Sequence, residues 1–242
     1  MGSEMCIRDS FNAWGRDKYW CLSQSHMPYT IGRSHDAGLV KIDAMEPVLI
    51  RNNLLEENRG WGIDMDDGAS NYEIYNNVCV GVSMKLREGA YRNVYNNIWY
   101  NANVAPCAHV GNDYNHDRYH HNIIVMAKDD CFSFIAPPAH GPWMEQLDYN
   151  CYYKADGKFT ARVTEVREEK GWPQNRRQYS WDEWRNELGF DTHSVWADPM
   201  FIDAENYDFR VKTDSPALKL GFENFEMGRW GLTKDFPAKW RD

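Results

Sequence analysis

Three related stretches decide how this sequence is read: "VLIRNNLL" at 48–55, "YEIYNNVCV" at 72–80 and "RNVYNNIWY" at 92–100. Each joins a short run of β-branched or aromatic residues to a second such run through a pair of asparagines. Weaker copies follow, "RYHHNIIVM" at 118–126 and "LDYNCYY" at 147–153. The second asparagine of each pair is Asn53, Asn77 and Asn97, and Asn122 and Asn150 extend the series, in steps of 24, 20, 25 and 28 residues. A period of this length marks stacked repeats, either a parallel β-helix or long leucine-rich repeats. The leucine consensus is absent, and short alternating apolar runs favour strands. The expected fold is all-β: a right-handed parallel β-helix with a short helix and an irregular C-terminal cap.

The asparagines have a physical role in such a stack. Asn tolerates left-handed backbone at a sharp turn. Its amide can also bond the Asn of the next coil, a ladder that satisfies polar groups buried between coils. Each coil then carries a second strand: "GLVKIDA" at 38–44, "GIDMDDG" at 62–68, "SMKLREG" at 83–89, "APCAHVG" at 105–111 and "CFSFIAP" at 131–137. Alternation turns Ile63, Met65, Met84 and Leu86 inward and Asp64, Asp66, Lys85 and Arg87 outward.

The rhythm fails after residue 153. The coils are assigned to 11–153, and 154–242 to a capping part of the same domain. Residues 154–178 are polar and read as an excursion off the stack. "SWDEWRNELGF" at 180–190 reads as a short helix, with Ser180 and Glu183 as a capping box and Trp181, Trp184 and Leu188 on one face. The segments after it are expected to close the open end of the stack, as repeat folds require. At the other terminus, "MGSEMCIRDS" back-translates to a match with the transposase adaptor used in shotgun sequencing. Residues 1–10 are therefore expected to be a scar, and the chain a C-terminal fragment of a longer protein.

Composition narrows the partners. The formal net charge is −9 and no Lys/Arg run is present, which argues against nucleic acid. No apolar stretch is long enough to span a bilayer. Eleven Trp and 14 Tyr favour a carbohydrate partner, since rings stack on sugar faces, although aromatics also build cores. No CxxC pair or zinc spacing exists. Cys79, Cys107, Cys131 and Cys151 recur with the coils and are expected to be small core residues.

The chemistry-bearing cluster lies on the second strands. Aligning Gly68 with Gly89 places Asp67 level with Glu88, Asp66 with Arg87 and Asp64 with Lys85. Adjacent strands lie about 4.8 Å apart, close to the roughly 5 Å between the carboxyl groups of a retaining glycosidase. One of Asp64, Asp66 and Asp67 would be a nucleophile kept ionised by Lys85 and Arg87. Glu88, kept protonated by like-charge proximity, would be the general acid. Outward projection favours Asp64 and Asp66, with Asp67 and Glu88 at the turn. Cross-strand ion pairs on a solvated face are the plain alternative. No cofactor is expected, with calcium on Asp64, Asp66 and Asp67 as the one possible exception. His109 is expected on the same face, level with Arg87, as a substrate-binding residue. Asp43 would extend the acidic strip by one rung, and Trp61 would serve as a sugar platform or as packing. His120 and His121 fall at the repeat's turn and look structural.

"GWGIDMDDGASNYEIYNN", "MKLREG" and the tail "LGFDTHSVWADPMFIDAENYDFRVKTDSPALKLGF" together resemble bacterial right-handed β-helix carbohydrate-active proteins. The nearest resemblance is to the β-xylosidase-like glycoside hydrolase family 120. It implies an Asp nucleophile and a Glu acid/base about one coil apart, hence the Asp64/Asp66/Asp67 cluster and Glu88. It also implies retaining hydrolysis of an oligo- or polysaccharide of plant type and an extracytoplasmic bacterial setting. Two other readings stand beside it: a β-helix polysaccharide lyase with a Lys or Arg base and calcium, and a non-catalytic glycan-binding β-helix.

Overall fold

The computed structural model describes residues 11–14, 41, 44–56, 61–66, 68–102, 107–111, 113–127, 130–138, 141–166 and 173–228. The expected scar at 1–10, Asp43 and Asp67 all lie outside the described residues.

The repeat folds as a parallel β-solenoid with three sheets. Sheet A stacks Phe11–Trp14, Trp61–Asp66, Ser83–Arg87, Cys107–Val110, Asp130–Ile135, Thr160–Val166 and Pro173–Tyr179. Sheet B holds the runs before each asparagine pair, Val48–Arg51, Tyr72–Tyr75, Arg92–Tyr95, Arg118–His120 and Gln146–Asp148. Sheet C holds the runs after it, Leu54–Glu56, Val78–Val80, Ile98–Ala102, Ile123–Met126, Cys151–Tyr153 and Val195–Trp196. Period-two alternation sends one side of each strand into a shared interior. Ile63, Met65, Met84 and Leu86 from sheet A meet Ile74 and Val94 from sheet B and Cys79, Trp99, Ile124 and Tyr152 from sheet C, all with no exposed surface. Cys79, Cys107, Cys131 and Cys151 are buried free thiols, as expected.

The asparagine ladder is present. Asn53 Nδ2 donates to Asn77 Oδ1 at 2.9 Å, Asn77 to Asn97 at 2.9 Å, Asn97 to Asn122 at 3.1 Å and Asn122 to Asn150 at 3.2 Å. The two roles expected of one residue are divided between two. The second residue of each pair builds the ladder. The first takes the left-handed turn: Asn52, Asn76, Asn96, His121 and Tyr149 have φ between 53° and 59°. His121 thus holds the structural turn position assigned to it, beside His120.

Three expectations about the ends need correction. The strand beside Trp61–Asp66 is Phe11–Trp14, with Asn12 level with Asp64. The rung expected from 38–44 has only Lys41 and Ala44 among the described residues. Residues 154–178 are not a pure excursion, because Thr160–Val166 adds a parallel rung to sheet A and Pro173–Tyr179 folds back antiparallel on it. Phe159, Ala161 and Val163 supply the inward alternation, hidden among polar neighbours. Finally, only part of the C-terminal region lies at the end of the stack. The helix Trp181–Asn186, with its Ser180–Glu183 capping box, buries Trp184 against Phe132 and Phe134 there. The following segments, with Phe209, Val211, Ala217 and Phe222, instead cover the flank of sheet C, where Val78, Ile98, Ile123 and Cys151 point outward. Apolar residues on both faces of sheet C require that second cover. Among the described residues no helix is long and apolar enough to cross a membrane.

Candidate functional site

The cluster on sheet A forms with the expected register. Asp64 pairs with Lys85 and Met65 with Leu86, which sets Asp66 beside Arg87. Lys85 Nζ lies 2.9 Å from Asp64 Oδ1 and 3.2 Å from Asp66 Oδ1, a single ammonium bridging both acids. Arg87 makes the second bridge: its Nη1 is 3.3 Å from Asp66 Oδ1 and its Nε 3.1 Å from Glu88 Oε2. One guanidinium therefore holds a carboxylate from each of two adjacent coils. Lys85 Nζ also lies 5.9 Å from the centre of the Trp61 ring, so the ammonium and the ring border the same patch.

The acids differ in access. Asp64 is 3% exposed, and Asn12 Nδ2 donates to its Oδ2 at 3.4 Å. Asp66, Lys85 and Arg87 are partly exposed. Glu88 is 4% exposed and takes a left-handed conformation with φ of 40° at the end of its strand. Its neighbour on the chain, Arg87, supplies the cation against its carboxylate. Among the described residues no group of three His, Cys, Asp or Glu side chains is placed to hold a metal ion. Lys85 Nζ occupies the space between the Asp64 and Asp66 carboxylates, and Asp67, the third expected calcium ligand, is outside the described residues.

His109 is not on this surface. Cys107 pairs with Met84 and His109 with Leu86, so Val110, not His109, is level with Arg87. Aligning the strand-end glycines places this rung one residue out of register, and a one-residue slip turns every side chain to the opposite face. His109 has no exposed surface and points into the solenoid, where its ring meets Phe134 edge-on at 5.4 Å.

There it joins a group that sequence reasoning missed. His109 Nε2 lies 2.9 Å from Asp117 Oδ2, and Asp117 accepts from Arg92 Nε at 3.0 Å and Nη2 at 2.5 Å. All three residues are fully buried. Burial pushes the His109 pKa down, so the imidazole is neutral and its Nε2–H donates to Asp117. For Asp117, burial acts upward, but the Arg92 guanidinium and the His109 bond outweigh it and hold the carboxyl low. A signal existed: Arg92 falls at an inward position of the repeat, and Asp117 follows 25 residues later, the same step as Asn97 to Asn122.

A groove of about 580 Å³ lies elsewhere, between sheet C and the C-terminal cover, bordered by Tyr100, Tyr153, Phe201 and Lys212. It shares no residue with the carboxylate cluster. No protein-family model, curated protein or solved structure matches this chain.

Proposed function

We propose that the chain is a carbohydrate-active β-solenoid that hydrolyses a plant-type glycan with retention of configuration, in the manner of β-xylosidase-like glycosidases. The observation that carries this reading is the Arg87 bridge, which holds Asp66 and Glu88 on one guanidinium. Asp66 is the best-supported nucleophile of the three acids. It is partly exposed and lies within ion-pair distance of both Lys85 and Arg87. Asp64 is more deeply enclosed. Glu88 is the acid/base, and Trp61 and Lys85 border the sugar. Such an enzyme would act on exported or environmental polysaccharide, in keeping with an extracytoplasmic setting.

One observation favours a second reading. Lys85 between Asp64 and Asp66, with Glu88 almost fully covered, is also what a non-catalytic glycan-binding face would carry. A lyase is less well supported, because Lys85 and Arg87, its candidate bases, are each engaged by two carboxylates. Turnover of aryl xylosides and related aryl glycosides separates these readings. Activity that is lost in both Glu88→Gln and Asp66→Asn supports hydrolysis. Binding without turnover supports the second reading, and wild-type rates in both variants overturn the assignment.

A further inference from the structure

The backbone at Glu88 is strained, and its supports come from inside the solenoid. A φ of 40° in a non-glycine residue is disfavoured and persists only where surrounding contacts impose it. Glu88 N donates to Val110 O at 3.0 Å. The carbonyl that precedes it, Arg87 O, accepts from Gly68 N at 3.2 Å and from Arg92 Nη1 at 3.2 Å. After it, Gly89 closes so tightly that a Cβ would lie 2.2 Å from Ala69 O and 2.8 Å from Arg92 Nη1. The Arg92 guanidinium therefore sits directly beneath the Arg87–Gly89 turn.

Arg92 is itself immobilised. Its backbone N–H, Nε and Nη2 all donate to Asp117, which is held in turn by His109 Nε2 and, through its own N–H, by Asn115 Oδ1. The fold does not demand a charge at every coil of this level, since the two coils before Arg92 carry Tyr72 and Val48 there. A buried ion pair is also a weak source of stability compared with apolar packing. Placement of the turn is what the group supplies and what apolar side chains would not.

We propose that Arg92, locked by Asp117 and His109, is a positioning residue that fixes the Arg87–Gly89 turn and so directs the Glu88 carboxylate toward Arg87 and Asp66. Its purpose rests on the reading of Glu88 as acid/base; the positioning itself does not.

Arg92→Lys keeps a cation for Asp117 but cannot both fork onto that carboxylate and reach Arg87 O. Val94→Ala, the next inward position on the same strand, is the control for lost packing. The Glu88 carboxyl is followed by carbon-13 NMR titration of Glu-labelled full chain, its signal identified by its absence in Glu88→Gln. Arg92→Lys is expected to move the Glu88 midpoint by about half a pH unit or more. It is also expected to lower kcat on aryl glycosides by about tenfold to a hundredfold, with KM nearly constant. Val94→Ala should lower Tm yet leave both unchanged. An Arg92→Lys protein that matches Val94→Ala in midpoint and kcat overturns the proposal. If Arg92→Lys does not fold, His109→Gln, which removes the imidazole support of Asp117, is judged by the same criterion. Absence of turnover in the wild-type chain would defeat the hydrolase reading alone, and the NMR midpoint would still decide the positioning role.

Discussion

Asn150 Nδ2 donates to Asp191 Oδ1 at 3.1 Å, so the asparagine ladder ends on a buried acid of the cap. Asp191 also accepts from Trp184 Nε1 at 2.8 Å, Tyr152 OH at 3.1 Å and Ser194 Oγ at 2.5 Å. Burial raises its pKa to about 6 despite these four donors. The folded state therefore holds this proton more tightly than the unfolded chain. The group's contribution to stability falls as pH rises from the unfolded value near 4 through 6, by roughly 3 kcal/mol in all. The stability gap between wild type and Asp191→Asn, from urea denaturation, should shift in favour of wild type as pH drops from about 7 to about 4. A pH-independent gap would contradict this.

His120 should produce the opposite slope. Its Nε2 lies 2.9 Å from Asn93 Oδ1 and its Nδ1 2.5 Å from His121 Nδ1, and burial lowers its pKa to about 4. A depressed histidine contributes stability that is present above its unfolded value near 6.5 and is lost as pH falls toward 4. Thermal melts of His120→Gln across that window should show a smaller acid-side loss than wild type. An equal loss would mean that His120 does not carry this pH dependence.

The ladder should be unequal along its length. Asn97 is fully buried; it donates to Asn122 Oδ1, Ile74 O and Tyr95 O, and its Oδ1 accepts twice from Asn77. Asn97→Ala leaves several buried groups without partners and should cost about 2–4 kcal/mol. Asn53, partly exposed on the edge strand side, should cost about 1 kcal/mol or less. Chemical denaturation of the two variants tests the ranking.

The cover on sheet C makes a chemical prediction. The Cys151 thiol, 1% exposed beneath that cover, is pushed up to about 12 by burial. Phe222→Ala should cost about 3–5 kcal/mol and open the flank. One additional thiol should then react with a disulfide reagent under native conditions, and the gain should vanish in Phe222→Ala/Cys151→Ala. Unchanged thiol reactivity would show that Phe222 does not seal this face.

What the sequence made legible follows from period. The ladder, the inward set on sheet A and the Asp64–Lys85 register all come from spacings that repeat from coil to coil. The capping box at Ser180 was equally local. The failures lie where spacing breaks. His109 was misplaced because Gly111 follows its strand one residue out of register with Gly89. Thr160–Val166 was missed because its outward side chains are polar and its inward ones small. The Arg92–Asp117 pair was overlooked because each residue alone resembles a surface charge, and only their one-coil separation joins them. Asp66 and Glu88 were singled out from the sequence, but the guanidinium between them depends on side-chain geometry.

The ladder also gives the molecule a thermodynamic direction. Along the ladder each coil bonds to the coil beside it, which makes this part of the stability a chain of nearest-neighbour terms. Burial along the ladder deepens from partly exposed Asn53 to fully enclosed Asn77 and Asn97, and the far end is tied to Asp191 beneath Trp184. Opening should therefore begin at the Val48–Glu56 coil and travel toward the cap. Amide hydrogen exchange would register it as a gradient, fastest at Asn53 and slowest near Asn122.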